Sequence, residues 1–385
     1  SDKLKDEGKK LTIAGSKPDS EPVENLLDVD RVSVNVGIRL IPMVDPRKNA
    51  SIFERIGAMR KRFAQVFGII IPLVRVRDNI SLEPTAYEIK LSDLPVARGK
   101  VEPDMFLAMD AGNVRERIVG IKTLEPVFGL PALWITPDKK EAAELNGYTV
   151  IDSESVFITH LSETLKKHAD ELLTREDVQA LLDRLRTYQP SLVGDVIGEH
   201  TPIGVLHRVL RNLLRNQIPI RELTAILETL GENASKTKNP TTLTELVRKA
   251  LCRTITQLYR DEFGKISALT LDPLLEDRLV SSVKQQGEDV TLAIPAELAI
   301  DVNKKIAQSW KTVMDQGKDK VVMLCDSRLR APLANMLNRT IPLLPVIAYD
   351  EIIFGTEVET LDTVIVSQAE FNLQNQPALV GTVKG

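Results

Sequence analysis

Few residues in this chain could do chemistry. It holds four histidines, His160, His168, His200 and His207, and two cysteines, Cys252 and Cys325. No histidine falls in an HExxH pair, and no histidine–cysteine spacing suits zinc. Both cysteines lie in apolar periodic segments, beside Leu251 and Leu324, and read as buried reduced thiols rather than a disulfide framework. There is no phosphate-binding glycine loop, no dinucleotide fingerprint and no GxSxG elbow. His168 and His207 stand next to Lys167 and Arg208 on amphipathic stretches and read as boundary residues. No catalytic residue, metal ligand or cofactor site is expected.

Recognition chemistry remains. The stretch EPVFGLPALWIT, Glu125 to Thr136, sets Phe128 between two prolines and before Gly129. A turn is a poor place to build a core from a large ring. A ring on a stiffened turn loses little entropy on binding, and an aromatic with one carboxylate nearby, here Glu125, has hot-spot composition. The competing reading is that Phe128 plugs a gap between two packed units. The pair VLHRVLRNLLRNQ and IPIRELTAILETL invites a helix-turn-helix reading, but its second helix offers Arg221 alone against Glu222 and Glu228. A formal charge of -4 also argues against coating nucleic acid.

The elements that must position these residues divide the chain. With 385 residues, 43% hydrophobic and 27% charged, it is a globular sequence of several packed units. Residues 1–30 are polar without hydrophobic period and read as a flexible linker whose apolar footholds are Val23, Leu26 and Leu27. The expected fold class is α/β and α+β in several subdomains. Subdomain 1 takes residues 31–103 and 153–173, with strands in VSVNV, IIIPLVRV and YEIKL and a helix near Ser51–Phe67 burying Ile52, Ile56, Met59, Phe63 and Val66. Gly37 interrupts the first strand and marks a bulge or close backbone approach. Inserted subdomain 2, residues 104–152, is a smaller α/β unit with strands MFLAM, ALWI and YTVI and a helix opened by Thr136-Pro137. Asp152 or Ser153 caps the next helix, where Val156, His160, Leu161, Thr164 and Leu165 share a face.

Subdomain 3, residues 174–260, is helical, with Thr174, Thr201 and Asn239 as caps and Pro202, Pro219 and Pro240 at helix starts. Subdomain 4, residues 261–367, alternates strands KISALTL, DVTLA, KVVMLC and LPVIAY with helices at 272–282, 295–315 and 327–340, an α/β unit. Residues 368–385 form a tail. No apolar run reaches the roughly 18 residues that span a bilayer.

Several segments resemble one family: VGIRLIPMVDP, FAQVFGIIIPLVRVRDNISLEPTAYEI, EPVFGLPALWIT, GYTVIDSESVFITHLSETLKKHADELLTREDVQALLD and GVLHRVLRNLLRNQIPIRELTAILETL. They cover residues 32 to 260, and the last unit resembles the family more loosely. The sequence is similar to the cytoplasmic domain of the FlhA/SctV family, export-gate membrane proteins of bacterial type III secretion. The resemblance implies a non-enzymatic docking platform below the membrane and a ring of nine subunits. It also implies a membrane domain ahead of this part. Export chaperone–substrate complexes and other export-apparatus proteins are the implied partners, with no nucleic acid. The family's docking dimple falls here on Glu125, Phe128 and Thr159, and its conformational glycine on Gly37. Flagellar members often carry aspartate at the Glu125 position, and linkers of the family can carry a tryptophan that DSEPVENLLDVD lacks. The EPVFG and FITHL matches favour the flagellar branch over the injectisome branch. From another class, the alternative is a soluble α/β enzyme with a dispersed site. Subdomains 1 and 2 are joined by two chain crossings, near Pro103–Asp104 and Asp152–Ser153, and are expected to hinge about a modest, polar interface.

Overall fold

The computed structural model describes residues 29–366 apart from 46–50, 111, 113, 199–200 and 319. The linker footholds Val23, Leu26 and Leu27 and the tail lie outside the described residues. Order starts with β1 (Val32–Val36), followed by α1 (Ile41–Val44), α2 (Ile52–Val66), β2 (Val74–Asp78), β3 (Ala86–Leu91) and β4 (Leu94–Lys100). They form a sheet in the order β2-β1-β3-β4, with β1 parallel to β2 and the other pairs antiparallel. In α2 the spacing of four, three and four buries Ile52, Ile56, Met59 and Phe63. Val66, expected on that face, sits at the helix's last position and is 43% exposed. The strand expected across IIIPLVRV begins only at Val74. Pro72 lacks the N–H a ladder needs, and Ile69 and Ile71 are buried in irregular backbone instead. β4 was not anticipated; it is an edge strand, where Pro95 is tolerated.

Gly37 ends β1 in extended backbone, with φ -70 and ψ 163. Its N–H donates to the Ala86 carbonyl at 2.8 Å, and a Cβ here would stand 2.2 Å from the Glu83 carbonyl oxygen. The close approach is therefore real, and there is no bulge in the β1–β3 register.

The second sheet is built from β5 (Phe106–Asp110), β6 (Ile121–Leu124), β7 (Pro131–Ile135) and β8 (Tyr148–Asp152), with α3 (Lys140–Leu145) between the last two. Its order is β6-β7-β5-β8, all antiparallel. Side chains alternate. Ala108, Ile135 and Tyr148 pack with Ala143 of α3, while Leu107, Ala132 and Trp134 join the same core as the first sheet. The interface expected to be modest and polar is thus an apolar face buried in a shared core, because the strands alternate apolar residues on both sides. Thr136 occupies the cap position ahead of Pro137 but its side chain makes no cap bond. α4 (Ser153–Lys167) returns from the second sheet and packs on α2, β4 and β5. Asp152 caps it, accepting the Ser155 amide at 2.9 Å.

Seven helices follow: α5 (Ala169–Leu172), α6 (Arg175–Arg186), α7 (Pro190–Val196), α8 (Ile203–Arg215), α9 (Leu223–Asn233), α10 (Pro240–Ala250) and α11 (Cys252–Tyr259). Thr174 and Asp177 form a capping box, and Asn239 caps α10. Thr201 is no cap: its hydroxyl is buried with no hydrogen-bond partner among the described residues, and Pro202 takes the cap position of α8. Pro219 does not open a helix either, since α9 starts at Leu223. The intervening segment buries Ile218 and Ile220, and the Ile220 N–H donates to the Phe67 carbonyl at 2.9 Å. Tertiary docking against the end of α2 keeps these residues out of a helix.

The last unit contains β9 (Ile266–Leu271), α12 (Pro273–Ser281), β10 (Val283–Gln286), β11 (Asp289–Leu292), α13 (Ala296–Asp315), β12 (Val321–Cys325), α14 (Ser327–Leu337), β13 (Val346–Ala348) and β14 (Val358–Val364). Its sheet runs β13-β12-β9-β14, all parallel. DVTLA, read as part of an α/β alternation, instead pairs with β10 in a separate hairpin. The edge of the sheet goes to VETLDTV, whose Glu359 and Asp362 face solvent and hide the strand pattern. Arg248 on α10 ties this unit to the helices, donating to Glu351 at 2.5 and 2.8 Å with both side chains buried.

Candidate docking site

Residues Glu125–Leu130 close the β6–β7 hairpin, whose last pair is Leu124 with Pro131. Backbone bonds from Glu125 N–H to the Leu130 carbonyl at 2.8 Å and from Gly129 N–H to the Glu125 carbonyl at 2.9 Å shut the turn. Gly129 adopts φ 68, a left-handed conformation that side chains resist. The Glu125 carboxylate accepts the amides of Val127 at 2.9 Å and Phe128 at 2.7 Å, one on each oxygen. A carboxylate that accepts backbone amides beside it stiffens a turn from within.

Phe128 is 60% exposed at the top of this turn. It therefore does not plug a gap between packed units. Leu124, Leu130, Ile121 and Val119 are exposed with it, so the β6 edge and its loop carry an apolar surface. Glu125 lies the other way, 8% exposed. It does not stand beside the ring as a free charge; both oxygens turn inward onto the loop.

Tyr87 of β3 and His160 of α4 are buried and share a hydrogen bond of 2.7 Å between the phenol oxygen and Nδ1. The Phe157 ring packs against Tyr87 with centroids 4.8 Å apart. Burial, with the charge of Glu125 adding to it, pushes the Tyr87 phenol well above its ordinary value. Thr159 is exposed on α4, one residue from His160. Gly37 is linked to the same place through the sheet, because Val36 pairs with Tyr87 and Gly37 bonds to Ala86. The spacing of α4 put His160 on the buried face, but nothing in the sequence paired it with Tyr87.

Burial lowers the His160 pKa, against an upward pull from Glu125. The unfolded chain therefore binds this proton more readily than the folded one. The stability contributed by neutral His160 is complete above the unfolded value of about 6.5 and is lost as pH falls below it. The melting temperature of the wild-type chain is expected to drop between about pH 7.5 and 5.5, with a shallower drop in His160→Gln. Equal slopes in the two proteins would contradict this.

Among the described residues, no group of histidine, cysteine or acidic side chains is arranged to hold a metal. The Cys325 thiol is pushed up by burial, which leaves it unreactive. His207 bonds the Leu173 carbonyl and His168 bonds Glu171. Arg221, the one cation offered to a nucleic-acid reading of α9, donates to the Gln65 carbonyl at 2.9 Å. Among the described residues, no helix is long and apolar enough to cross a membrane.

The arrangement of sheets around a helical middle recurs in solved secretion proteins. The Chlamydia pneumoniae CdsV protein matches with a TM-score of 0.79 at 25% identity, covering 90% of this chain and 100% of that one. The nonameric EscV cytosolic domain from the type III secretion system matches with a TM-score of 0.68 at 21% identity, covering 87% of this chain and 97% of that one, a likeness of fold. The fold is the one these two proteins share. In sequence, residues 2–357 match the FHIPEP family, and the chain belongs to it. The flagellar biosynthesis protein FlhA of Proteus mirabilis is 36% identical over 329 residues, covering 86% of this chain and 46% of the relative. Its counterpart in Helicobacter pylori strain J99 is 33% identical over 349 residues, covering 90% of this chain and 47% of the relative. The chain spans about half the length of the curated relatives it matches.

Proposed function

We propose that this chain is the cytoplasmic docking platform of a flagellar type III export gate, receiving export chaperone–substrate complexes on the Phe128 loop and the Thr159 face of α4. The observation that carries the reading is a phenylalanine 60% exposed on a turn closed by its own Glu125 carboxylate. Such a ring is already in its bound geometry, so docking costs little ordering. The flagellar branch is supported by the identities, 36% to a FlhA protein against 21% to the EscV domain. Assembly into a ring of nine is supported by the nonameric state of EPEC SctV-C and EscV. Contact with further export proteins is supported by the solved complex of Chlamydia pneumoniae CdsV with CdsO. The platform reading involves no catalysis and places the chain below a membrane domain in the other half of the full-length protein.

Calorimetric titration with a chaperone–substrate complex from the same organism tests the site. Phe128→Ala is expected to weaken docking by about 2 kcal/mol or more, roughly 30-fold, with an unchanged melting temperature. Unchanged affinity in the folded variant would remove Phe128 from the interface.

A further inference from the structure

We infer that the β10–β11 hairpin is a strap, which clasps the last unit to α8 and α10 through a charge pair that ionic strength opens. The inference rests on the fold and stands whatever partner the chain receives. The hairpin lies outside the parallel sheet, and a two-stranded ribbon of such short strands has little stability of its own. Its order depends on what it packs against. The base has a support: Val283 and Leu292 pack on the core of the last unit, and both strands lie against α14. The tip reaches the helices instead. Gln286 pairs with Asp289, so Gly287 and Glu288 form a two-residue turn, with Gly287 at φ 63. Arg208 of α8 donates to both Glu288 oxygens, one of them at 3.0 Å. Asn239, just ahead of α10, gives its side-chain amide to the Gly287 carbonyl at 3.4 Å.

These contacts grip one end of a helix pair. α8 and α10 lie side by side, with Asn212 donating to Thr244 at 3.2 Å. The buried anchors of the last unit sit toward the other end: Arg330 on Asn216 and Glu245, then Glu351 on Arg248. Arg208 and Asn216 stand at opposite ends of most of α8, about 12 Å apart along the axis. The last unit is therefore held at a buried end and at an exposed one. Arg330 is buried, whereas the Arg208 and Glu288 side chains are 52% and 53% exposed. A pair this open shifts an equilibrium by no more than about fivefold, and salt screens it. The anchors stay closed while the tip comes and goes, and a freed tip lets the unit tilt about them.

The experiment uses the full chain with Cys252→Ser, which removes the half-buried thiol and leaves buried Cys325. Spin labels go on Arg184→Cys and Lys304→Cys, at exposed positions of α6 and α13. Hydrogen exchange is followed in the peptide covering residues 284–291. Between about 0.05 and about 1 M salt, this protein is expected to exchange there about two- to fivefold faster, with a wider label-to-label distance distribution. Glu288→Lys sets two cations together and should show the fast exchange and the wide distribution at both salts. Adding Arg208→Glu to it restores an opposite pair, and with it slow exchange, a narrow distance and the salt response. Melting temperatures should barely differ, because the anchors are untouched. Glu288→Lys behaving as its parent would overturn the inference. So would faster hairpin exchange at an unchanged label distance, which would make the hairpin a fraying loop. A double variant no tighter than Glu288→Lys would show that the charge pair is not the clasp.

Discussion

Arg248→Ala is expected to destabilise the chain by about 3–5 kcal/mol, the cost of stranding a buried charge. Arg248 is 1% exposed on α10 and Glu351 is 2% exposed in the turn after β13. The guanidinium meets the carboxylate with both prongs, at 2.5 and 2.8 Å. Glu351 also accepts the Ala348 amide at 3.0 Å. Next to this pair, Arg330 of α14 donates twice to Glu245 of α10, at 2.5 Å each, and to Asn216 at 3.2 Å. α10 is thus tied to the last unit by these two pairs and, nearer solvent, by Lys249 with Asp350 at 3.3 Å. Burial opposes the charge on Arg248, but Glu351 outweighs it and its pKa rises above the ordinary value. Removing the arginine leaves Glu351 buried with one amide for a partner. Urea unfolding should show a lower midpoint, with the unit from Ile266 onward exchanging before α2 and β1. Replacing both partners together, Arg248→Met with Glu351→Leu, should recover most of the loss, because neither charge is then stranded. A single variant within about 1 kcal/mol of wild type would mean that water reaches the pair and screens it.

Gly37→Ala is expected to cost about 3 kcal/mol, at the upper end of the usual range for overpacking. The backbone angles at Gly37 suit any residue, so the cost comes from space alone. The added methyl would meet the Glu83 carbonyl oxygen at 2.2 Å and that of Pro84 at 2.7 Å. Both obstacles are backbone and have no rotamer to escape into. Relief requires the strand end to part from residues 83–86, which breaks the Gly37-to-Ala86 bond and the Arg39-to-Pro84 bond of 2.9 Å. Tyr87 follows Ala86 directly, so the shift reaches the buried Tyr87–His160 bond. A melting temperature lower by roughly 10 °C, with faster exchange of the peptide covering residues 83–88, is the expected result. A variant that melts with wild type and keeps that peptide protected would show that the strand ends have room to adjust.

What the sequence determined by itself is local. The buried stripe of α2, the Thr174–Asp177 capping box, the Asn239 cap and the stiff turn around Phe128 all rest on bonds and spacings that span three or four residues. The order of strand-rich, helical and α/β segments was legible for the same reason, since side-chain period is a property of each segment alone. Tertiary structure decided the rest. Tyr87 of β3 and His160 of α4 bond to one another although 73 positions apart. Pro219 failed to start a helix because Ile220 bonds to Phe67. VETLDTV became a sheet edge, and DVTLA did not, because β9 offers a parallel partner to one and β10 an antiparallel partner to the other. The Arg248–Glu351 pair joins residues 103 positions apart. The energy of a charge or of an unpaired strand edge depends on what excludes water from it, and that partner arrives only when distant segments pack.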